Sequence, residues 1–371
     1  METTKSTDKR ILSVDVLRGF DMFWLVGGTG LALAVAKLFG PGVQDILVPQ
    51  LEHAEWIGFT FYDLIFPLFE FVMGMSVVFS LKKILQQQGK VAAYRRLLRR
   101  FALLFILGII YYGGLSNVWP EIRILGVLQR LALTYLFTGM LFIHFELRGI
   151  AVISVLILIG YWILFSFIPV PDTGLIALTQ QSNWAQYIDS MLLPGKKNGP
   201  GGVWDIVGIM GTFPATVSCA LGVFAAHILR EKKLTDKQRT IYLVGGGLAM
   251  VLVGYLWGIQ FPVIKKVWTS TYVLVAGGYS LMLMGIFYYL IDVKGYKKWT
   301  PMFVWIGVNP ITIYMARNLI DFNLISKKLA GGNLSLMVGE QLAYLLLMTV
   351  SLGLSLVLLH FLYKRNIFLK V

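Results

Sequence analysis

The stretch LEHAEWIGFTFYDLIFPLF, residues 51–69, sets a histidine and a carboxylate ten positions apart where a long apolar run begins. His53 lies between Glu52 and Glu55, and Asp63 enters the run itself. An imidazole oriented by a carboxylate is the usual apparatus for taking a proton from a nucleophile. The other three histidines, His144, His227 and His360, fall at the ends of apolar runs beside basic segments, where a structural role accounts for them. Four scattered histidines and the single Cys219 offer no metal-ligand spacing, and no glycine loop of the nucleotide-binding kind is visible. Cys219 cannot form an intrachain disulfide and reads as a small buried residue.

Other ionisable residues stand inside apolar runs, where charge is costly, and each is a functional candidate for that reason. Asp63 and Glu70 are seven apart, so a helix turns both to roughly the same side. RILGVLQRLALTY (123–135) carries Arg123 near one end of its run and Gln129 and Arg130 in the middle. A mid-run arginine calls for a buried ion pair or an anionic ligand. Arg317, beside Asn318, poses the same choice. Asp15 and Arg18, three apart, share a helical face near the start of the first run. Asp205 opens a run and suits an N-terminal cap.

The elements that hold these groups must live in lipid. The 371 residues are 57% hydrophobic and only 14% charged, with a mean hydropathy of +0.72. A soluble domain of this size carries more charge. Ten windows are long and apolar enough to cross a bilayer: 13–36, 57–81, 99–115, 122–144, 150–168, 204–229, 240–261, 270–291, 301–320 and 337–362. Backbone groups in lipid must be satisfied within their own segment. The expected fold is therefore all-α, a polytopic transmembrane helical bundle of about ten spans, forming one integral-membrane domain over residues 1–371. The span carrying Asp15, Arg18 and Asp21 makes a poor cleavable signal and reads as a retained first helix.

A net charge of +14 points first to nucleic acid, but its distribution argues otherwise. With the N-terminus in the cytoplasm, 22 of the 33 lysines and arginines fall in cytoplasmic segments and only 7 in external ones. This is the positive-inside asymmetry of a multi-span protein with both termini cytoplasmic. The basic loops meet anionic headgroups of the bilayer, and nucleic acid is not needed to explain them. On this topology segments 37–56, 169–203 and 321–336 are external and roof the bundle on the His53 side.

Five segments appear in an order that resembles a known family: ILSVDVLRGFDMFW (11–24), HAEWIGFTFYDLIFPLFEFVMGMS (53–76), RILGVLQRLALTYL (123–136), KKVWTSTYVL (265–274) and FVWIGVNPITIYM (303–315). The most specific piece is H-x-x-W-x-G-x-x-x-x-D-x-x-F-P-x-F, met by His53, Trp56, Gly58, Asp63, Phe66, Pro67 and Phe69. The chain resembles, from residue 11 to about 320, the membrane acetyltransferases related to heparan-α-glucosaminide N-acetyltransferase and their bacterial relatives. The resemblance implies transfer of an acetyl group from cytosolic acetyl-CoA, a co-substrate, to the amine of a glucosamine-type sugar or a glycan on the external side. His53 matches the family's catalytic histidine and Asp63 its neighbouring acid. Arg130, Gln129, Arg18 and Asn309 are then expected to meet CoA, and Trp56, Glu52 and Trp268 the acceptor. The implied setting is a bacterial inner membrane with the active site facing the periplasm, and a homodimer suits the family. Direct attack by the acceptor and a route through acetyl-His53 both stay open.

Two other classes compete with a transferase. Intramembrane arginines and carboxylates are equally natural in a proton-coupled transporter of a sugar or small polar solute. A scaffold for other membrane proteins would leave His53 without a task.

Overall fold

The computed structural model describes residues 11–368. Among them helices dominate, and the only β pairings are isolated bridges, Arg123 with Gly195 and Val170 with Leu175. Lys5, Lys9, Arg10 and Lys370, which entered the charge count, lie outside the described residues.

The chain opens with α1 (Leu12–Phe23), a wide π-turn (Trp24–Gly28), α2 (Thr29–Ala36) and α3 (Pro41–Gln50). It continues with α4 (Ile65–Tyr111), α5 (Val127–His144), α6 (Leu147–Phe167), α7 (Trp184–Leu192) and α8 (Ile209–Arg230). Next come α9 (Asp236–Gly258), α10 (Ser270–Phe287), α11 (Pro301–Val308) and α12 (Pro310–Leu319). Two short helices, α13 (Phe322–Ala330) and α14 (Asn333–Val338), precede α15 (Glu340–Lys364). Eight helices among the described residues are long and apolar enough, by length and composition, to cross a membrane.

Four expected spans change shape. The stretch Phe61–Tyr111 carries most of two of them, 57–81 and 99–115, in helix interrupted by non-helical backbone at Gly89 (φ 80°, ψ −177°). A straight helix would part Phe69 from Leu104 by about 50 Å, yet both line one cavity. The chain therefore folds back at Gly89, and a residue with φ near +80° there favours glycine. The expected span 301–320 divides at Asn309 (φ −128°, ψ 44°), because the residue before Pro310 is pushed out of the helical region. Span 122–144 begins as helix only at Val127, which leaves Arg123 in extended chain.

Packing at the centre depends on close backbone approach. A methyl group at Gly74 would collide with the Cys219 carbonyl, and one at Gly222 with that of Phe71, so α4 and α8 touch along glycine. At the start of α1, where backbone N–H groups lack helical partners, the Asp292 carboxylate accepts from Leu12 (3.1 Å) and Ser13 (3.0 Å). The connections gather at two ends. Segments 51–60, 112–126, 168–208 and 259–269 interlock at one, through Gly58 N–H to Val263 O (2.9 Å), Trp56 Nε1 to Leu178 O (3.1 Å) and Lys196 N–H to Ile122 O (3.0 Å). At the other, Tyr94 meets His144 and Tyr288 meets Asp236.

Candidate active site

Asp63 is positioned by its own turn. Thr60 and Asp63 form a capping box around the short 3₁₀ helix Phe61–Leu64. Asp63 Oδ2 accepts from the Thr60 N–H and the Ala54 N–H, both at 3.2 Å, and the Thr60 hydroxyl lies at the same distance. The Tyr272 hydroxyl of α10 holds the Asp63 carbonyl at 2.8 Å. With Oδ2 saturated, Oδ1 faces His53 and takes its Nδ1 at 2.8 Å. The Asp63 side chain is fully buried while that of His53 is 51% exposed. Because a carboxylate only accepts, the imidazole carries its proton on Nδ1 and keeps Nε2 free as a base. Tyr62 lies beside the ring, with centroids 4.7 Å apart.

A third group joins this pair. Lys265 Nζ is 3.3 Å from Asp63 Oδ1 and 3.1 Å from His53 Nδ1. It sits in a tight connection built on Thr269, whose hydroxyl accepts from Ile264 N–H (3.0 Å) and whose N–H reaches Ile264 O (3.1 Å). Burial pulls the lysine down to about 8, against the opposing pull of Asp63. In the same connection Trp268 adopts φ +55°, a conformation rare for a bulky residue and one that clusters at functional sites.

His53, Lys265, Tyr62 and Trp268 open onto a cavity of about 200 Å³ with an otherwise largely apolar wall. A second cavity, of about 240 Å³, is lined by Arg18, Arg96 and Arg100 together with Ser76. Phe69, Leu131 and Ile311 line both cavities and are the partition between them. Arg18 is held there by Ser76 Oγ (2.8 Å) and Gly307 O (3.3 Å), and the Arg100 guanidinium covers the Tyr135 ring at 4.4 Å.

Two known proteins resemble the chain in sequence. The chain is 27% identical to the heparan-alpha-glucosaminide N-acetyltransferase of Mus musculus, an alignment covering 100% of this chain and 62% of the relative. It is 29% identical to the Homo sapiens protein of the same name, over 84% of this chain and 53% of that relative. The likeness supports a related acetyltransferase family. The chain thus spans between about half and under two thirds of the length of these relatives. No family model matches it.

The expected site residues divide into those that meet and those that do not. His53, Asp63 and Trp268 come together at one cavity. Trp56 is turned away, its indole N–H given to Leu178 O and its ring edge-on to Trp204, so it is not poised to donate to a reacting carbonyl. The side chain of Glu52 is exposed, and its carbonyl accepts from Thr60 (2.6 Å). Arg18 lines the arginine cavity, and Asn309, between two lining residues of that cavity, donates its amide to Ile367 O (3.2 Å). Arg130 and Gln129 are buried in the first turn of α5 rather than mid-helix, because the helix starts five residues later than the apolar run. Arg130 donates to Gly208 O (3.0 Å) and covers the Trp268 ring at 4.9 Å, which makes it a support beneath the cavity wall. Its Nε and Nη1, both Gln129 amide atoms and both Glu70 oxygens have no hydrogen-bond partner among the described residues.

Two expectations are corrected outright. Asp205 is not the cap of α8, which is Gly208; it accepts a two-pronged pair from Arg123 (2.8 and 2.7 Å), and although burial alone would lower the guanidinium's pKa, the hydrogen bonds and charge of that carboxylate raise it. Arg317 serves the backbone, donating to the Val26 carbonyl freed by the π-turn at Gly27. Reasoning from sequence missed Lys265, Arg96, Arg100 and Tyr62. Lys265 stands within KKVWTSTYVL, a segment whose pattern is itself informative, but its sequence context marks it only as one of the external lysines.

Proposed function

We propose that the protein is a membrane acetyltransferase that moves an acetyl group from acetyl-CoA to the amine of a glucosamine-type sugar on the opposite side of the bundle. The observation that carries this is the pair of cavities sharing Phe69, Leu131 and Ile311, with three arginines in one and the His53–Asp63 dyad at the other. Arg18, Arg96 and Arg100 are suited to the phosphates of CoA, since guanidinium groups bind phosphate in paired hydrogen bonds. The uncharged acyl-thioester arm then passes the apolar partition and presents its carbonyl near His53.

There His53 Nε2 takes a proton from the acceptor amine as its nitrogen attacks the carbonyl carbon. The C–N bond forms, the C–S bond breaks, and the proton passes from Nε2 to the leaving thiolate. Asp63 keeps the imidazole in the required tautomer and balances the imidazolium while it lasts. The two acetyltransferase relatives support the donor and the acceptor class alike.

The test is transfer of labelled acetyl from acetyl-CoA to glucosamine by the purified full chain in lipid nanodiscs. Wild type is expected to transfer, and His53→Ala to bind CoA but not transfer. Wild-type protein that binds no CoA would overturn the proposal, and counterflow of labelled sugar without acetyl-CoA would replace it with a transporter.

A further inference from the structure

Asp63 Oδ1 is shared between two donors, His53 Nδ1 at 2.8 Å and Lys265 Nζ at 3.3 Å, and those donors are themselves 3.1 Å apart. This crowding has a direct chemical consequence. With the imidazole uncharged, one carboxylate faces one ammonium and the charges balance. Once His53 has taken the acceptor's proton, two cations face a single carboxylate at contact distance. Like charges at that separation raise the free energy of the protonated base.

We propose that Lys265 is a positioning residue of the transfer reaction: its ammonium holds Asp63 Oδ1 and, by crowding the Nδ1 edge of His53, drives the captured proton off Nε2 and onto the leaving thiolate. This rests on the acetyl-transfer function proposed above. The step is balanced, for the amine proton ends on the thiol and no oxidant, reductant or further reactant enters. Lys265 is only 17% exposed and lies on a connection rather than on the helix that carries Asp63, so its placement is a matter of tertiary structure. Its lowered pKa keeps the ammonium and its amine within reach of one another near neutrality.

The other titratable groups facing His53 are few. Glu52 and Glu55 flank it in its own segment, Tyr62 lies on the ring, and Lys266 and Tyr314 line the same cavity from the 259–269 connection and α12. Tyr272 of α10 meets Asp63 through the main-chain carbonyl. Of these only Lys265 touches both members of the dyad, so its charge is the one whose loss the dyad registers most.

The experiment compares wild type, Lys265→Met and Lys265→Arg in nanodiscs, measuring acetyl transfer from pH 5.5 to 9. The methionine variant removes charge at similar length, and the acid limb of its pH–rate profile is expected to move up by about one unit or more, the size of a contact-charge effect. KM for acetyl-CoA should stay as in wild type, and Lys265→Arg should restore the original limb. A methionine profile that superimposes on wild type, or that drops equally at every pH, overturns the proposal. The same variants are titrated by NMR with labelled histidine, the His53 signal being assigned with His53→Gln. That titration needs no turnover: if wild type transfers no acetyl but the His53 signal still shifts in Lys265→Met, the acetyl-transfer function fails and the coupling stands. An unshifted signal refutes the coupling whatever the activity.

Discussion

Replacing Asp63 by asparagine should cost far more than the loss of one charge, and the hydrogen bonds say why. Oδ2 is fixed by the backbone N–H groups of Ala54 and Thr60. In Asp63→Asn the amide oxygen must remain on that side, which turns the NH₂ toward His53. An NH₂ only donates, so Nδ1 must accept, and the imidazole proton moves to Nε2 where the base is needed. Recovering the productive tautomer means flipping the amide and leaving two buried N–H groups facing a donor. At roughly 1.5 kcal/mol each that is about 3 kcal/mol, or upwards of a hundredfold in rate. The assay is kcat/KM for labelled acetyl transfer at fixed pH, with CoA binding measured alongside to show that the fold survives. Asp63→Asn activity within fivefold of wild type, with CoA binding intact, would refute the tautomer argument.

Arg100→Ala should raise KM for acetyl-CoA about tenfold or more with little change in kcat, since a hydrogen bond to a charged group contributes about 1.5–3 kcal/mol; an unchanged KM would remove the arginine cavity from donor binding. Phe69→Ala joins the two chambers, so acetyl-CoA hydrolysis without acceptor should rise several-fold, and a rate equal to wild type would mean that the partition is not closed by this ring. Asp189 gives a pH effect on stability. Burial raises its carboxyl to about 6 even though Ile209 and Asp205 N–H groups donate to it. Between roughly pH 4 and 6 the folded state keeps a proton that the unfolded chain has released, so this group's contribution to stability falls as pH rises through that window and levels off above it. The two-unit displacement is on the order of 3 kcal/mol. Melting in detergent should show that slope in wild type and lose it in Asp189→Asn, whereas parallel curves would contradict the assignment.

The helical class and the His53–Asp63 pair were legible because both rest on local pattern: apolar windows of bilayer length, and a histidine and an acid ten positions apart at the start of one apolar run. Capping chemistry was legible in principle too, since Thr60 and Asp63 stand at the spacing of a capping box. What could not be read was anything joining distant segments. Lys265 reaches Asp63 from the connection before α10, and Arg96 and Arg100 reach Arg18 only because α4 reverses at Gly89. Periodicity sees Arg96 and Arg100 as part of a basic loop, and their place beside Arg18 is a property of the fold. The misplacement of Arg130 and Asp205 has a different cause. Hydropathy reports where apolar side chains run, not where helical hydrogen bonding starts, and here extended chain precedes α5 and a turn precedes α8.

The two chambers also separate the proposed transfer from carriage of a solute. A carrier offers one site to each side in turn, so its substrate meets the same wall throughout. Here the walls differ in kind. One chamber holds three arginines, while the other is mainly apolar and has its charged and basic groups at His53, Lys265 and Lys266, with Asp63 buried behind His53. A polar solute crossing from the first to the second would surrender its hydrogen bonds to pass Phe69, Leu131 and Ile311, at the desolvation cost that buried polar groups incur. A molecule charged at one end and neutral at the other meets a lower barrier, since only a few uncharged polar groups of its arm need cross. Its phosphates stay with the arginines while a thin acyl-thioester arm crosses, and the charge that cannot follow is what anchors the group that can.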